Sequence, residues 1–241
     1  LVKTMRASIL VLGSTIAKYG YAKIALPGGC AIGSRPVNYH LKALEKLGVN
    51  ISLKNGYIEA KTDKLVGANI EFEGVTVTGT ENLIMAASLA KGVSILTNVA
   101  KEPEILDLAN FLNSMGAKIS GAGTDKIIVE GVEGLSGTTY EIPADRIEAG
   151  TYLIAGALTN GNITINKIDP ERMGAIIENL KKAGAEVISN GKSISLNMTN
   201  HILKPVNIIT APFPGFPTDM QAQFTVLNCM GQGESRVKET I

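Results

Sequence analysis

Apolar and polar positions along this chain alternate between helical and strand-like spacing in a fixed order. Three segments repeat one plan: an amphipathic helix, a glycine, a small or β-branched residue, then a strand. They are Leu44-Glu45-Lys46-Leu47-Gly48-Val49-Asn50-Ile51, Leu112-Asn113-Ser114-Met115-Gly116-Ala117-Lys118-Ile119 and Leu180-Lys181-Lys182-Ala183-Gly184-Ala185-Glu186-Val187, with their glycines 68 residues apart. Each glycine sits where the end of a helix calls for a left-handed residue, a conformation that costs Gly no Cβ clash.

A second set of helices interleaves with the first, ending at Lys18-Tyr19-Gly20, Lys91-Gly92, Asn160-Gly161 and Gln232-Gly233, at spacings of 72, 69 and 72. Short alternating strands follow, such as Val93-Ser94-Ile95-Leu96 and Asn162-Ile163-Thr164-Ile165. Ile51 to Ala60 reads as a hairpin, with Asn55-Gly56 suited to a type I′ turn. The predicted unit is βαβαββ, repeated. Helices such as Ile84-Met85-Ala86-Ala87-Ser88-Leu89-Ala90 and Leu153-Ile154-Ala155-Gly156-Ala157-Leu158 are apolar nearly all round, which predicts buried helices with the sheets outside them. Pro205, Pro212, Pro214 and Pro217 punctuate residues 201–217, a boundary candidate, and a fourth helix follows Thr218-Asp219-Met220-Gln221. We therefore expect residues 1–210 to form most of one domain, its first repeat incomplete, and residues 211–241 to begin a second.

Composition narrows the function classes. Of 241 residues, 45% are hydrophobic and 19% charged, and 23 basic against 22 acidic residues leave a net charge of +1, which argues against disorder and against nucleic-acid binding by gross charge. No run approaches the roughly 20 apolar residues of a bilayer helix, and Leu1 to Arg6 lacks a signal-peptide core, so no membrane partner is expected and the expected location is cytoplasmic. Two cysteines and two histidines make a metal cage improbable, and no metal is expected. The chain opens inside an apolar helical pattern without an initiating Met, as a piece of a longer protein would.

Few segments carry candidate chemistry. The loop Leu26-Pro27-Gly28-Gly29-Cys30-Ala31-Ile32-Gly33-Ser34-Arg35-Pro36 joins a strand to a helix. Cys30 reads either as a small buried hydrophobe or as an accessible thiol in the positive potential of Arg35 and a helix N-terminus. No Lys-Ser or Lys-Thr follows the glycines, so this is not a Walker-type loop, although Arg35 suits a phosphate or carboxylate. Arg6 reads equally as a solvated helix-end charge or as an anion contact. Asp219 reads as a helix N-cap or as a general base toward a hydroxyl. Cys229, within Val226-Leu227-Asn228-Cys229-Met230, reads most simply as core.

Collinear blocks give these residues a context: Thr4-Met5-Arg6-Ala7-Ser8, the Pro27 to Pro36 loop, Gly79-Thr80-Glu81-Asn82, Glu102-Pro103-Glu104-Ile105, Asp145-Arg146-Ile147-Glu148-Ala149-Gly150-Thr151-Tyr152 and Phe216-Pro217-Thr218-Asp219-Met220-Gln221-Ala222-Gln223. Together they resemble the enolpyruvyl transferase family over essentially the whole chain. The Gly-Gly-Cys loop resembles the branch acting on UDP-N-acetylglucosamine rather than the one acting on shikimate 3-phosphate. The resemblance implies an α/β fold, an inside-out α/β barrel of βαβαββ repeats with buried helices, and substrates in a cleft between two domains. It implies transfer of the enolpyruvyl group of phosphoenolpyruvate to the sugar 3′-hydroxyl with release of phosphate, the first committed step of peptidoglycan synthesis, and no metal or organic cofactor.

Carried over by motif, Cys30 is the loop thiol that donates a proton, can add to phosphoenolpyruvate and is alkylated by fosfomycin. Asp219 is the base near the 3′-hydroxyl, and Arg6 and Arg35 bind anionic groups. Arg35, Pro36, Val37, Asn38 and Tyr39 match the stretch that binds the nucleotide end, Val75, Thr76 and Val77 a second stretch near the diphosphate, and Ile241 a further contact. Two positions depart from the family: Asn38 stands where Asp is usual, and Gly74 where some members have Lys. Full members also carry an N-terminal Lys-Asn pair and C-terminal arginines that this chain lacks, so the chain alone is expected to be inactive or nearly so. The rival expectation is a noncatalytic module of the same fold that binds sugar nucleotides.

Overall fold

A computed structural model describes residues 5–27 and 37–241, with Arg6 by its backbone alone. Contacts between Cα atoms divide the chain into two compact units, Leu1–Tyr140 and Glu141–Ile241.

In the first unit a 3-10 turn, Arg6–Leu10, leads into α1 (Val11–Tyr19), then β1 (Tyr21–Ala25), α2 (Asn38–Lys46), β2 (Asn50–Lys54) and β3 (Tyr57–Lys61). The three strands form an antiparallel sheet in the order β1-β3-β2. A complete βαβαββ unit follows: β4 (Asn69–Glu71), α3 (Val77–Ala87), β5 (Val93–Thr97), α4 (Pro103–Ser114), β6 (Lys118–Ser120) and β7 (Lys126–Glu130). Its sheet runs β4-β5-β7-β6, with β4 parallel to β5. That parallel pair needs a crossover, and α3 supplies it.

The second unit repeats the pattern with α5 (Arg146–Leu158), β8 (Asn162–Asn166), α6 (Gly174–Lys182), β9 (Glu186–Asn190) and β10 (Ser193–Asn197), whose sheet is ordered β8-β10-β9. Then β11 (Ile208–Ile209), α7 (Gln221–Met230) and β12 (Val237–Lys238) begin another repeat, with β11 parallel to β12 as β4 is to β5.

Local chemistry explains the boundaries. Gly48, Gly116 and Gly184 have φ of 92°, 102° and 100°, so each helix of that set ends in a left-handed residue as its sequence predicts. Asn55 and Gly56 both have positive φ at the β2–β3 turn, the geometry expected of type I′. Asp145 caps α5 by accepting from the N–H groups of Ile147 and Glu148, and Pro103 occupies the first turn of α4, where its missing N–H costs nothing.

Each unit has its own core. In the first, Leu12, Leu44, Leu83, Ile84, Leu96 and Ile105 are fully buried. In the second, Leu153, Leu180, Ile194, Leu196, Met220, Phe224 and Leu227 are. Helix α3 is buried nearly all round, as its composition predicts. Within its own unit α5 is buried along one side only, with Thr151, Tyr152 and Ala155 exposed. Helix α7 corrects one expectation: Cys229 is exposed rather than core. The helix turns Phe224, Leu227 and Asn228 inward, which leaves Val226, Cys229 and Met230 on the opposite side.

Candidate functional site

Of the candidate residues in the first unit, Cys30, Arg35 and Pro36 lie outside the described residues. Arg6 opens the 3-10 turn before α1. Val37 precedes α2, and Asn38 and Tyr39 form its half-buried first residues. Val75, Thr76 and Val77 build the start of α3, where Thr76 is the N-cap and its hydroxyl accepts from the Gly79 N–H at 3.2 Å.

The structure brings two of these stretches together. A Cβ placed on Gly74 would lie 3.2 Å from the Tyr39 hydroxyl and 3.4 Å from its ring, so the tyrosine occupies the space beside the second stretch. A side chain at position 74 would ask the Tyr39 ring to give by a few tenths of an ångström, and nothing in the structure explains the departure there. Tyr39 also lines a small cavity of ≈ 60 Å³ with Lys42, Phe72 and Glu73, and Lys42 and Glu73 pair at 2.6 Å across its exposed rim. The amide oxygen of Asn38 is buried with no hydrogen-bond partner among the described residues, an acceptor that a ligand N–H would satisfy. A larger open depression of ≈ 470 Å³, around Tyr21, Asn50, Lys61 and Asp63, contains none of the candidate residues.

In the second unit, Asp219 lies on the 3-10 turn Thr218–Met220 that leads into α7. It is exposed, and neither it nor Thr218 caps the helix, which sets aside the N-cap reading. The Thr218 hydroxyl instead donates to Glu239 at 2.6 Å. The other Glu239 oxygen accepts from the Thr210 hydroxyl at 2.7 Å and from the Ile241 N–H at 2.7 Å. Burial works against this carboxylate, but hydrogen bonds from Thr218, Ile241, Thr210 and Thr240 outweigh it and hold its pKa below the ordinary value. Glu239 thus ties Ile241 to the turn bearing Asp219. Sequence reading missed it, because its partners lie 21 and 29 residues away and no local spacing marks them.

The family model described as EPSP synthase (3-phosphoshikimate 1-carboxyvinyltransferase) matches residues 1–241. The chain belongs to that family. Among its relatives, the UDP-N-acetylglucosamine 1-carboxyvinyltransferase of Hydrogenovibrio crunogenus is 57% identical over 241 residues, all of this chain and 58% of the relative's length. The enzyme of the same name from Ruthia magnifica is 58% identical with the same coverage. The chain therefore spans a little over half the length of the curated relatives it matches. Among solved structures, the enolpyruvyl transferase NikO from Streptomyces tendae superposes with a TM-score of 0.79 at 19% identity, over 95% of this chain and 55% of that one. EPSP synthase from Acinetobacter baumannii gives 0.65 at 20% identity, over 96% and 54%. These two likenesses establish the mixed α/β enolpyruvyl transferase fold and nothing finer.

Three glutamates that lie close together in the first unit carry an electrostatic consequence. Glu81, on α3, is pushed up from 4.5 to about 7, first by burial and then by the Glu104 and Glu102 carboxylates at the start of α4. A carboxyl whose pKa rises on folding binds more protons in the native state between those two values. Its contribution to stability is therefore largest below pH 4.5, falls as pH rises toward 7 and is flat above. Glu81→Gln removes the ionisation while keeping the shape. We expect the variant to be more stable than the wild type at pH 8 by about 1–3 kcal/mol, allowing for partial solvent exposure, and the gap to close near pH 5. Urea midpoints of both proteins at the two pH values check it; a gap independent of pH would contradict the assignment.

Proposed function

We propose that the protein of which this chain is a part transfers the enolpyruvyl group of phosphoenolpyruvate to the 3′-hydroxyl of UDP-N-acetylglucosamine, releasing phosphate. The observation that carries this reading is the 57–58% identity, across the whole chain, to relatives named for that reaction. The roles carried over by motif complete it. The acceptor hydroxyl attacks C2 of phosphoenolpyruvate as Asp219 takes its proton. Cys30 protonates C3, and the tetrahedral intermediate then collapses by expelling phosphate from C2 as a proton leaves the C3 methyl group, which restores the double bond of the enol ether. A thiol of ordinary pKa, about 8.5, is mostly protonated at neutral pH and suits the donor role. Arg6 and Arg35 bind anionic groups, the stretch from Arg35 to Tyr39 holds the nucleotide end, with the buried Asn38 oxygen ready for a ligand N–H, and Val75 to Val77 lie by the diphosphate.

On this reading residues 1–210 are most of one domain and 211–241 begin the second. The reaction opens peptidoglycan synthesis in the cytoplasm, fosfomycin alkylates Cys30, and the chain alone has little or no activity. The test is phosphate release from phosphoenolpyruvate with UDP-N-acetylglucosamine or shikimate 3-phosphate as acceptor, on this chain and its full-length parent side by side. We expect release only by the parent and only with the sugar nucleotide. A parent that binds the sugar nucleotide but releases phosphate with neither acceptor would be a noncatalytic binding module instead.

A further inference from the structure

Three of the stretches placed at the substrate by that proposal are tied, directly or through His40, to one buried side chain that the proposal does not use. Asn82, on α3, is fully buried, and its carboxamide makes contacts 69, 73 and 42 residues away in sequence. Its oxygen accepts from the Gly13 N–H at 2.6 Å, and its nitrogen donates to the Ile9 carbonyl at 3.0 Å. Gly13 and Ile9 are the donor and acceptor of one i→i−4 step. The amide stands at the junction where the Arg6–Leu10 3-10 turn becomes α1, as an inserted side chain does where a helix changes its winding. The approach needs Gly13: a Cβ there would collide with both the backbone and the side-chain oxygens of Asn82.

The same nitrogen lies 3.1 Å from Nδ1 of His40, which is buried in the first turn of α2, next to Tyr39. Because an amide nitrogen only donates, Nδ1 accepts, and the proton sits on Nε2, which donates to the Thr78 hydroxyl at 3.3 Å. Thr78 follows Val77 in the first turn of α3. One carboxamide therefore fixes the turn carrying Arg6, the turn carrying Asn38 and Tyr39, and, through His40, the turn carrying Val75 to Val77.

We propose that Asn82 is a positioning residue for the sugar-nucleotide site, setting the mutual placement of these three turns. This rests on the function proposed above. A binding group moved out of reach of a charged ligand forfeits its hydrogen bond, which costs about 10- to 100-fold in affinity. In the full-length protein, Asn82→Ser should raise the KM for UDP-N-acetylglucosamine by about 10- to 100-fold while kcat changes less than about threefold. Leu83→Ala, fully buried on the same helix, serves as a destabilised control and should lower the melting temperature with little change in KM. Equal KM shifts in the two variants, or none in Asn82→Ser, would overturn the proposal.

Hydrogen exchange on this chain provides a reading that needs no activity. Asn82→Ser should accelerate exchange in residues 6–13 and 38–41 together while residues 126–130 stay protected. Faster exchange confined to α3, or spread through both units, would count against it. If wild-type parent does not bind the sugar nucleotide, the functional reading fails and the exchange result alone decides the positioning role. Should Asn82→Ser not fold, His40→Phe keeps the Ile9 and Gly13 bonds but removes both ring contacts, so it should loosen residues 38–41 and 76–79 while residues 6–13 stay protected; unchanged exchange in 38–41 and 76–79 would overturn the role of the His40 arm.

Discussion

Phe224→Ala should destabilise the second unit by about 3–5 kcal/mol, the range for removing a fully buried aromatic side chain from a packed core. Phe224 is 0% exposed and meets Phe216 edge to face, with ring centroids 5.0 Å apart and planes at 84°. Truncation forfeits the burial of one ring, the edge-to-face contact and the packing of Met220, Leu227 and Phe216 around them. Since Leu12, Leu44 and Leu83 belong to a separate cluster, the first unit keeps its own core. Far-UV circular dichroism during urea unfolding should show part of the signal lost at lower denaturant while the remainder keeps its midpoint. Val226→Ala, on the exposed side of the same helix, should cost under about 0.5 kcal/mol. A Phe224→Ala loss as small as that of Val226→Ala would mean that the inward face of α7 is misassigned.

The contrast between those two residues marks how far sequence reading reaches. The repeat was legible because it is written in local chemistry: glycines 68 residues apart end helices in the left-handed conformation, Asn55-Gly56 turns a hairpin, and alternating residues make strands. Within the unit from β4 to β7, the apolar helix α3, strand β5 and the helix end at Gly116 follow from such signals. What α7 buries does not. Val226, Leu227, Cys229 and Met230 are all apolar, so periodicity cannot say which face meets a core, and Cys229 reads as buried until the helix is placed.

The site divides in the same way. Its candidate stretches are marked by motif, and Asn82 itself lies in the Gly79 to Asn82 block, but the long-range contacts of Glu239 and Asn82 are not legible there. Glu239 gathers Thr210, Thr218 and Ile241, and Asn82 gathers Ile9, Gly13 and His40, across separations that leave no pattern in the sequence. Even setting aside the cap reading at Asp219 needs coordinates, since Thr-Asp before a helix is the ordinary capping signature. Here Thr218 spends its hydroxyl on Glu239 and leaves the helix start uncapped by either side chain.

That arrangement sets the second large effect. Asp219→Asn in the full-length protein should lower kcat for phosphate release by about 10²–10⁴-fold, the usual contribution of a positioned general base, with sugar-nucleotide affinity within about threefold of wild type. The amide keeps the size and place of the carboxylate but cannot take up the hydroxyl proton. The turn beneath it is anchored independently, by the buried Met220 on one side and the Thr218–Glu239 bond on the other, so the substitution leaves the backbone where it was. Loss of rate without loss of binding then isolates proton transfer from placement, the reverse of the pattern expected for Asn82→Ser, where KM moves and kcat holds. A variant that turned over at near wild-type kcat would show that the acceptor hydroxyl loses its proton to another group, and the motif would carry the fold at this position without carrying the base.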